Sequence, residues 1–426
     1  MSIVIKDASL LLGKDLTFVD NGFLEIGENG LIKKTGPGRH HNTNDEKNKY
    51  DAEGFLIIPG FINAHTHIGD SIGKDIAVDS ELDIRVHPVY GAKRLILQKS
   101  NPEHLKIFMK SSAISMMKKG ITAFADFREG GYNGVKLLKD ALSDLPIKCL
   151  ALGRAEYYFD HSRKKTGKIG NMQDLKKEAC KNLPAEASEM ATDVLRISDG
   201  FGISGANENT DEGLRQYYKL LQESSKHNNK KLLLAIHAAE SKNTTKCSIS
   251  MTNKTEVKRI MQYLRPDFVV HMVNATDDDI SLVAKKRTAI IVCPRANGIL
   301  GVGIPKIARM LKSGCNIGIG TDNVMLNSPD IFREMDYLWK VSRATEHKFI
   351  SAKEILKMAT VNGAEILGLN SGHIGEGRSA DLIFIDKQHI DLSPMHNPYA
   401  AIVHRASKDS IRAVMINGKF IDDPQL

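Results

Sequence analysis

Within PGFINAHTHIGD, residues 59–70, two histidines stand two positions apart at the end of an apolar run, with Asn63, Thr66 and Asp70 beside them. Residues two apart in an extended strand project to the same face, so His65 and His67 point together into whatever space that strand lines. Two imidazoles on one face suit a metal ion. The pair also fits a duller arrangement, two hydrogen-bonded histidines near a strand end, because a chain with 15 histidines meets His-x-His by chance often enough. Company separates the two readings. His237 in LLLAIHAAE, His271 in DFVVHM and Asp322 in NIGIGTDN each close an apolar run in the same way. Imidazole nitrogen and carboxylate oxygen in that mixture suit a divalent metal, zinc foremost, with iron and manganese as alternatives. Three residues past His237 stands Glu240, within reach of water held by such a metal. A metal lowers the pKa of its water from about 15.7 to about 7, and a neighbouring carboxylate can take the proton and hand it to a leaving nitrogen. Glu240 is the expected proton shuttle.

These residues make one site only if the fold gathers them. From about residue 58 to about residue 341 the sequence alternates short β-branched runs, polar or Gly-containing turns, and amphipathic stretches, the pattern of parallel β/α units. Eight strand ends can be read, in IIPGFINAHTH, GITAFADFRE, IKCLALGRAE, GFGISG, KLLLAIHAAE, DFVVHM, TAIIVCPRAN and CNIGIGTDN. Eight units predict an α/β protein with a closed, TIM-like (β/α)8 barrel, ordinarily about 250 residues. A doubly wound sheet is the competitor, and it would carry a Gly-rich phosphate loop after its first strand; this sequence has none there. Helices are expected over 101–119, where Asn101 caps and Pro102 fits the first turn, over 330–341 behind Ser328 and Pro329, and over 351–369, where Ser351 and Glu354 have capping-box spacing. The alternating stretches of residues 1–57, together with ADLIFID and IRAVMINGKFI in 370–426, predict one small composite β-sandwich formed by both termini around a barrel of residues 58–369. His40 and His41, in a polar loop, are expected in solvent.

In a barrel of this kind the side chains that do chemistry sit at the carboxyl ends of the strands. His65 and His67 end the first strand, His237 the fifth, His271 the sixth and Asp322 the eighth, so four of eight strands deliver imidazole or carboxylate to one mouth. Packing alone does not ask for that. Singly, each has a structural reading, a satisfied histidine or a turn-capping aspartate.

The rest of the composition narrows the function. With 426 residues, 42 % hydrophobic and 26 % charged, the chain is an ordinary globular protein. Its net charge of +8 is dispersed, and aromatic residues are not interleaved with basic ones as nucleic-acid stacking requires. The densest basic stretch, HSRKKTGK at 161–168 running into DLKKEACK, reads as a surface loop and solvated helix. Five cysteines without C-x-x-C spacing argue against a disulfide framework or zinc knuckle, and no apolar run reaches the ~20 residues of a membrane span. A cytoplasmic protein with a small-molecule substrate, no nucleic-acid or membrane partner and a homodimeric prior is expected.

In their order, PGFINAHTH, HAAE, HMVNAT and GTDN resemble the amidohydrolase superfamily, and most of all its branch of cytosine, S-adenosylhomocysteine and guanine deaminases and triazine hydrolases. The resemblance spans essentially the whole chain, including GHIGEGRSADLIFID near the end. It implies that His65, His67, His237 and Asp322 hold a single divalent metal ion, that Asp322 also accepts a proton from the attacking water, and that Glu240 protonates a ring nitrogen and then the leaving group. His271 matches a histidine that polarises substrate or water. The bridging lysine of binuclear members has no counterpart in GFGISGAN. The implied activity is a metal-dependent aminohydrolase that cleaves a non-peptide carbon–nitrogen bond of a heterocyclic small molecule and releases ammonia. Ring-opening amide hydrolysis, chlorohydrolysis and a non-catalytic scaffold are its alternatives.

Two departures bear on substrate. The loop after the first histidine pair lacks tryptophan, and GISGANENT lacks the histidine that adenosine-type members place there, which counts against an adenine nucleoside. At the predicted mouth stand Arg128, Arg154, Arg295 and Asn297. Arg154 first, then Arg128 and Asn297, are the candidate substrate contacts, because a guanidinium fork suits carboxylate or phosphate; pairing with Glu129 and Glu156 is the alternative. Cys293 is read as buried packing, with metal binding as the other possibility.

Overall fold

A computed structural model describes residues 2–38, 49–158 and 181–422; the polar loop with His40 and His41, and the basic stretch 161–168, lie outside them. Eight parallel strands follow one another around a barrel: Phe61–His67, Ile121–Arg128, Lys148–Gly153, Gly200–Ile203, Leu233–Ala238, Phe268–His271, Ala289–Val292 and Ile317–Ile319. The last strand runs on into a two-residue continuation, Asp322–Asn323, which pairs with Thr66 and His67 of the first. Its earlier half pairs with the seventh strand, and the backbone N–H of Thr321 donates to the carbonyl of His65 at 2.9 Å. One passage of chain therefore closes the circle.

Each strand splits its side chains between two layers, as a pleat of period two demands. Ile62, Ala64, Ala123, Ala125, Phe127, Ala235, Val270 and Ile291 fill the barrel, whereas Phe61, Phe124, Ile236, Val269 and Ile290 face the surrounding helices. Small residues, four of them alanines, keep the interior narrow and leave room at its carboxyl end.

The terminal strands Ile3–Leu12, Thr17–Ile26, Ile32–Pro37, Lys49–Asp51 and Phe55–Pro59 join Leu382–Asp386, Ile411–Ile416 and Lys419–Phe420 in one eight-stranded sheet built from both ends of the chain. It curls around its own core of Ile5, Leu10, Leu24, Phe384 and Met415. Its two ends meet at Gly30 and Gly418, both at positive φ. A side chain at Gly30 would collide with the Asn417 carbonyl, so this junction requires glycine.

The first expected helix spans Pro102–Met117, with the Asn101 side chain accepting from the Glu103 N–H. The second covers Ile331–Glu346 rather than 330–341 and is capped not by Ser328 but by Asp330, two residues on, which accepts from the Arg333 N–H. The third is divided into Ala352–Met358 and Val361–Leu367. Ser351 caps it as expected, but the Ala359 carbonyl accepts from the Ile62 N–H at 2.9 Å. Docking on the first strand takes that carbonyl out of the helical ladder, and Thr360 turns away from helical geometry with ψ −88. Among the described residues no helix is long and apolar enough to cross a membrane.

Candidate active site

The first strand delivers its two histidines as the alternation requires, both buried at the barrel mouth. The other groups arrive through backbone turned sharply at the strand ends. His271 has φ 76 and Asp322 φ 60, while Ala239, between His237 and Glu240, has φ 49. Non-glycine residues adopt the left-handed region at a cost and are held there by their surroundings. At Asp322 the hold is explicit, since its carbonyl accepts from the Thr66 hydroxyl at 2.8 Å, and Asn63 fixes Thr321 by accepting from its N–H and donating to its hydroxyl.

His65, His67, His237 and Asp322 bring one ligand atom each to within 4.8 Å of one another. The Nε2 atoms of His67 and His237 are 3.4 Å apart, and Asp322 Oδ1 lies 3.3 Å from His65 Nε2 and 3.6 Å from His67 Nε2. The remaining ring nitrogens decide what these contacts mean. His67 Nδ1 faces the Phe127 carbonyl at 2.9 Å and Glu129 Oε1 at 2.8 Å; His237 Nδ1 faces the Ile203 carbonyl at 3.1 Å. These partners only accept, so each Nδ1 carries the proton. Burial lowers the pKa of both rings, that of His67 to about 3, and both are neutral. Each Nε2 then presents a lone pair to the other across 3.4 Å. A shared cation resolves that repulsion, and a metal fits the four side chains on this ground.

Glu240, His271 and Asp322 form a second group whose polar atoms also lie within 4.8 Å of one another, with His271 Nε2 3.6 Å from Glu240 Oε1. Burial, with Asp322, Asp83 and Glu208 adding negative charge, pushes the Glu240 carboxyl well above its ordinary range. Such a group holds its proton more readily than an ordinary carboxyl. His271 is braced by Asn297, 3.0 Å from its Nδ1.

A cavity of about 330 Å³ opens over these groups. Arg154 lines it, 6 % exposed, with its Nε and Nη2 atoms making no hydrogen bond and Nη2 3.8 Å from Glu129 Oε1. Arg128 and Asn297 stand outside its wall. The Arg128 guanidinium is occupied by Glu129 at 2.8 Å and Asp126 at 3.7 Å, packed so tightly beneath Gly69 that any side chain there would collide with it. Arg295 lines a separate cleft and pairs with Glu334 at 3.4 Å. Cys293 belongs to the packed barrel interior.

Three residues at the cavity went unread in the sequence. Lys93 is buried against Glu129 at 2.6 Å. Glu256 accepts from the Ala239 N–H at 3.2 Å, and Glu208 comes from the loop after the fourth strand. None follows a strand directly enough for the strand-end rule to find it. Although burial opposes ionisation of Glu129, the charges of Lys93 and Arg128, with the neighbouring His67 N–H, outweigh it and hold its pKa well below the usual range.

The model of the amidohydrolase family matches residues 56–421. An uncharacterized protein of Methanocaldococcus jannaschii is 36% identical over 412 residues, 96% of this chain and 96% of that protein. The 5-methylthioadenosine/S-adenosylhomocysteine deaminase of Thermococcus sibiricus is 28% identical, covering 99% of this chain and 94% of that one. Among solved structures, an adenosine deaminase from Xanthomonas campestris with bound zinc superposes with a TM-score of 0.79 at 20% identity, over 98% of this chain and 92% of that one.

Proposed function

Because this chain belongs to the amidohydrolase family, we propose that the barrel mouth is a mononuclear metal site, zinc for preference, and that the protein is an aminohydrolase releasing ammonia from a heterocyclic small molecule. One observation carries the reading: a carboxyl, Glu240, that is not among the four converging metal-ligand candidates stands beside them with His271. His65, His67, His237 and Asp322 would hold the ion, which when bound supplies Lewis acidity and a nucleophilic water at neutral pH.

The chain's own residues then divide the proton work. Asp322 accepts a proton from the attacking water as its oxygen adds to an amidine-like ring carbon. Glu240 gives its own proton to the ring nitrogen, then takes up the hydroxyl proton of the adduct and passes it to the exocyclic amino group, and the proton that Asp322 took from the water restores Glu240. The carbon–nitrogen bond breaks, ammonia departs, and the ring keeps the water oxygen as a carbonyl. His271, braced by Asn297, polarises the oxygen during addition, and Arg154, whose Nε and Nη2 make no hydrogen bond, lines the cavity as the candidate contact for a polar substituent of the substrate. The cavity of about 330 Å³ and the absence of a basic stripe in the sequence support a small molecule rather than a nucleic acid as partner. A twofold dimer remains the expected assembly.

The test is ammonia release by metal-loaded protein across purines, pyrimidines, pterins, their nucleosides and aminotriazines. Release from one class supports the reading and names the substrate family. A ring-opened acid or chloride without ammonia overturns it in favour of the corresponding hydrolase, and a stripped or retired site would turn over nothing.

A further inference from the structure

Lys93 belongs to no strand end and to none of the motifs above, yet it reaches the centre of the site. It sits in the short helix Ala92–Lys99, in the excursion between the first strand and the helix Pro102–Met117, with its side chain 7% exposed. Its Nζ lies 2.6 Å from Glu129 Oε1 and 3.7 Å from Asp70 Oδ2. That same Glu129 oxygen is 2.8 Å from His67 Nδ1. Asp70 is anchored in turn by the Asn323 side chain at 2.7 Å and the Met325 N–H at 3.0 Å. One ammonium thus ties together the ends of the first, second and eighth strands.

Glu129 has competing claims on it. Its other oxygen, Oε2, is held by Arg128 at 2.8 Å, and Arg154 lies 3.8 Å from Oε1. Two guanidinium groups would draw the carboxylate away from the imidazole if nothing opposed them. Lys93 is the opposing charge that holds Oε1 2.8 Å from His67 Nδ1, beside the Phe127 carbonyl that accepts the Nδ1 proton, and so keeps the His67 Nε2 lone pair aimed at the other ligand atoms. Carboxylate partners of ligand histidines set ring orientation and basicity in this way.

We propose that Lys93 is a positioning residue for the metal site, acting on His67 through Glu129; the inference rests on the metal-site reading above. The experiment uses the full chain and measures zinc affinity by competition with a chromophoric chelator, for wild type, Lys93→Met, Lys93→Arg, Glu129→Gln and the double variant Lys93→Met/Glu129→Gln. Lys93→Met is expected to weaken zinc binding about 10- to 100-fold, and Lys93→Arg to restore most of the loss. In the Glu129→Gln background, Lys93→Met should add nothing further, because the relay is already cut. A folded Lys93→Met chain within twofold of wild type, or losses that simply multiply, would overturn the inference and leave the metal site standing. Should Lys93→Met not fold, Lys93→Gln, which keeps a donor toward Glu129 without the charge, is measured in its place: weaker zinc binding supports the inference and binding within twofold of wild type overturns it. A wild-type chain that binds no zinc fails the underlying reading instead.

Discussion

Glu240→Gln separates proton transfer from metal binding in a single atom exchange. The Glu240 side chain lies outside the four-ligand group, and its backbone carbonyl, which accepts from Asn274 at 2.8 Å, is untouched by the change. Glutamine keeps the shape and the approach to His271, 3.6 Å away, but it cannot accept or return a proton. Positioned acid–base groups contribute roughly 10²–10⁴-fold to rate, or about 3 to 5 kcal/mol of barrier. The variant should therefore bind zinc with wild-type affinity while its kcat for ammonia release, followed by a coupled ammonia assay, falls by at least a hundredfold. A kcat within threefold of wild type with full metal content would refute the assignment of Glu240 as proton carrier. A loss of zinc together with activity would show that Glu240 is a ligand.

Three further outcomes follow from the packing. Asn297→Ala, which removes the brace 3.0 Å from His271 Nδ1, should lower kcat by about 10²-fold, the cost of roughly 1 Å of misplacement, with zinc content unchanged; an unaffected kcat would contradict it. Glu334 is buried at the Arg295 contact and burial pushes its pKa up to about 8. The native state thus holds this proton more tightly than the unfolded chain, and stability is lost as pH rises from about 4.5 toward 8, then stays level. Glu334→Gln should accordingly raise Tm at pH 8.5 and leave it unchanged at pH 4; an equal effect at both pH values would contradict the reasoning. Phe61, fully buried and edge-on to Phe332 at 4.9 Å, should cost about 3–5 kcal/mol when truncated to alanine, measured by urea unfolding, and a loss under 1 kcal/mol would show that the barrel collapses around the gap.

The parts of the site that the sequence discloses are those fixed by strand geometry. A period of two puts His65 and His67 on one face, and the strand-end rule brings His237, His271 and Asp322 to the same mouth. What it hides depends on direction and on long excursions. Arg128 ends a strand as Arg154 nearly does, yet it turns beneath Gly69 toward Asp126 and Glu129, and nothing in FADFREG fixes that choice. Lys93 arrives from a helix some 25 residues beyond the histidine pair, and no periodicity signals which of its basic neighbours points inward. The break at Thr360 was hidden for a related reason. Ser351 to Leu369 reads as one helix apart from the weak helix formers Thr360, Val361, Asn362 and Gly363, and the Ile62 N–H, almost three hundred positions away in the chain, claims the Ala359 carbonyl there.

On the function proposed above, one metal ion held by His65, His67, His237 and Asp322 makes this barrel an aminohydrolase. Its most direct test is to strip the protein with a chelator and titrate zinc back while following ammonia release on the substrate class that the panel identifies. The account predicts activity that is absent without metal, rises linearly with added zinc and saturates at one ion per chain. Activity indifferent to zinc, or saturating only at two ions, would contradict it.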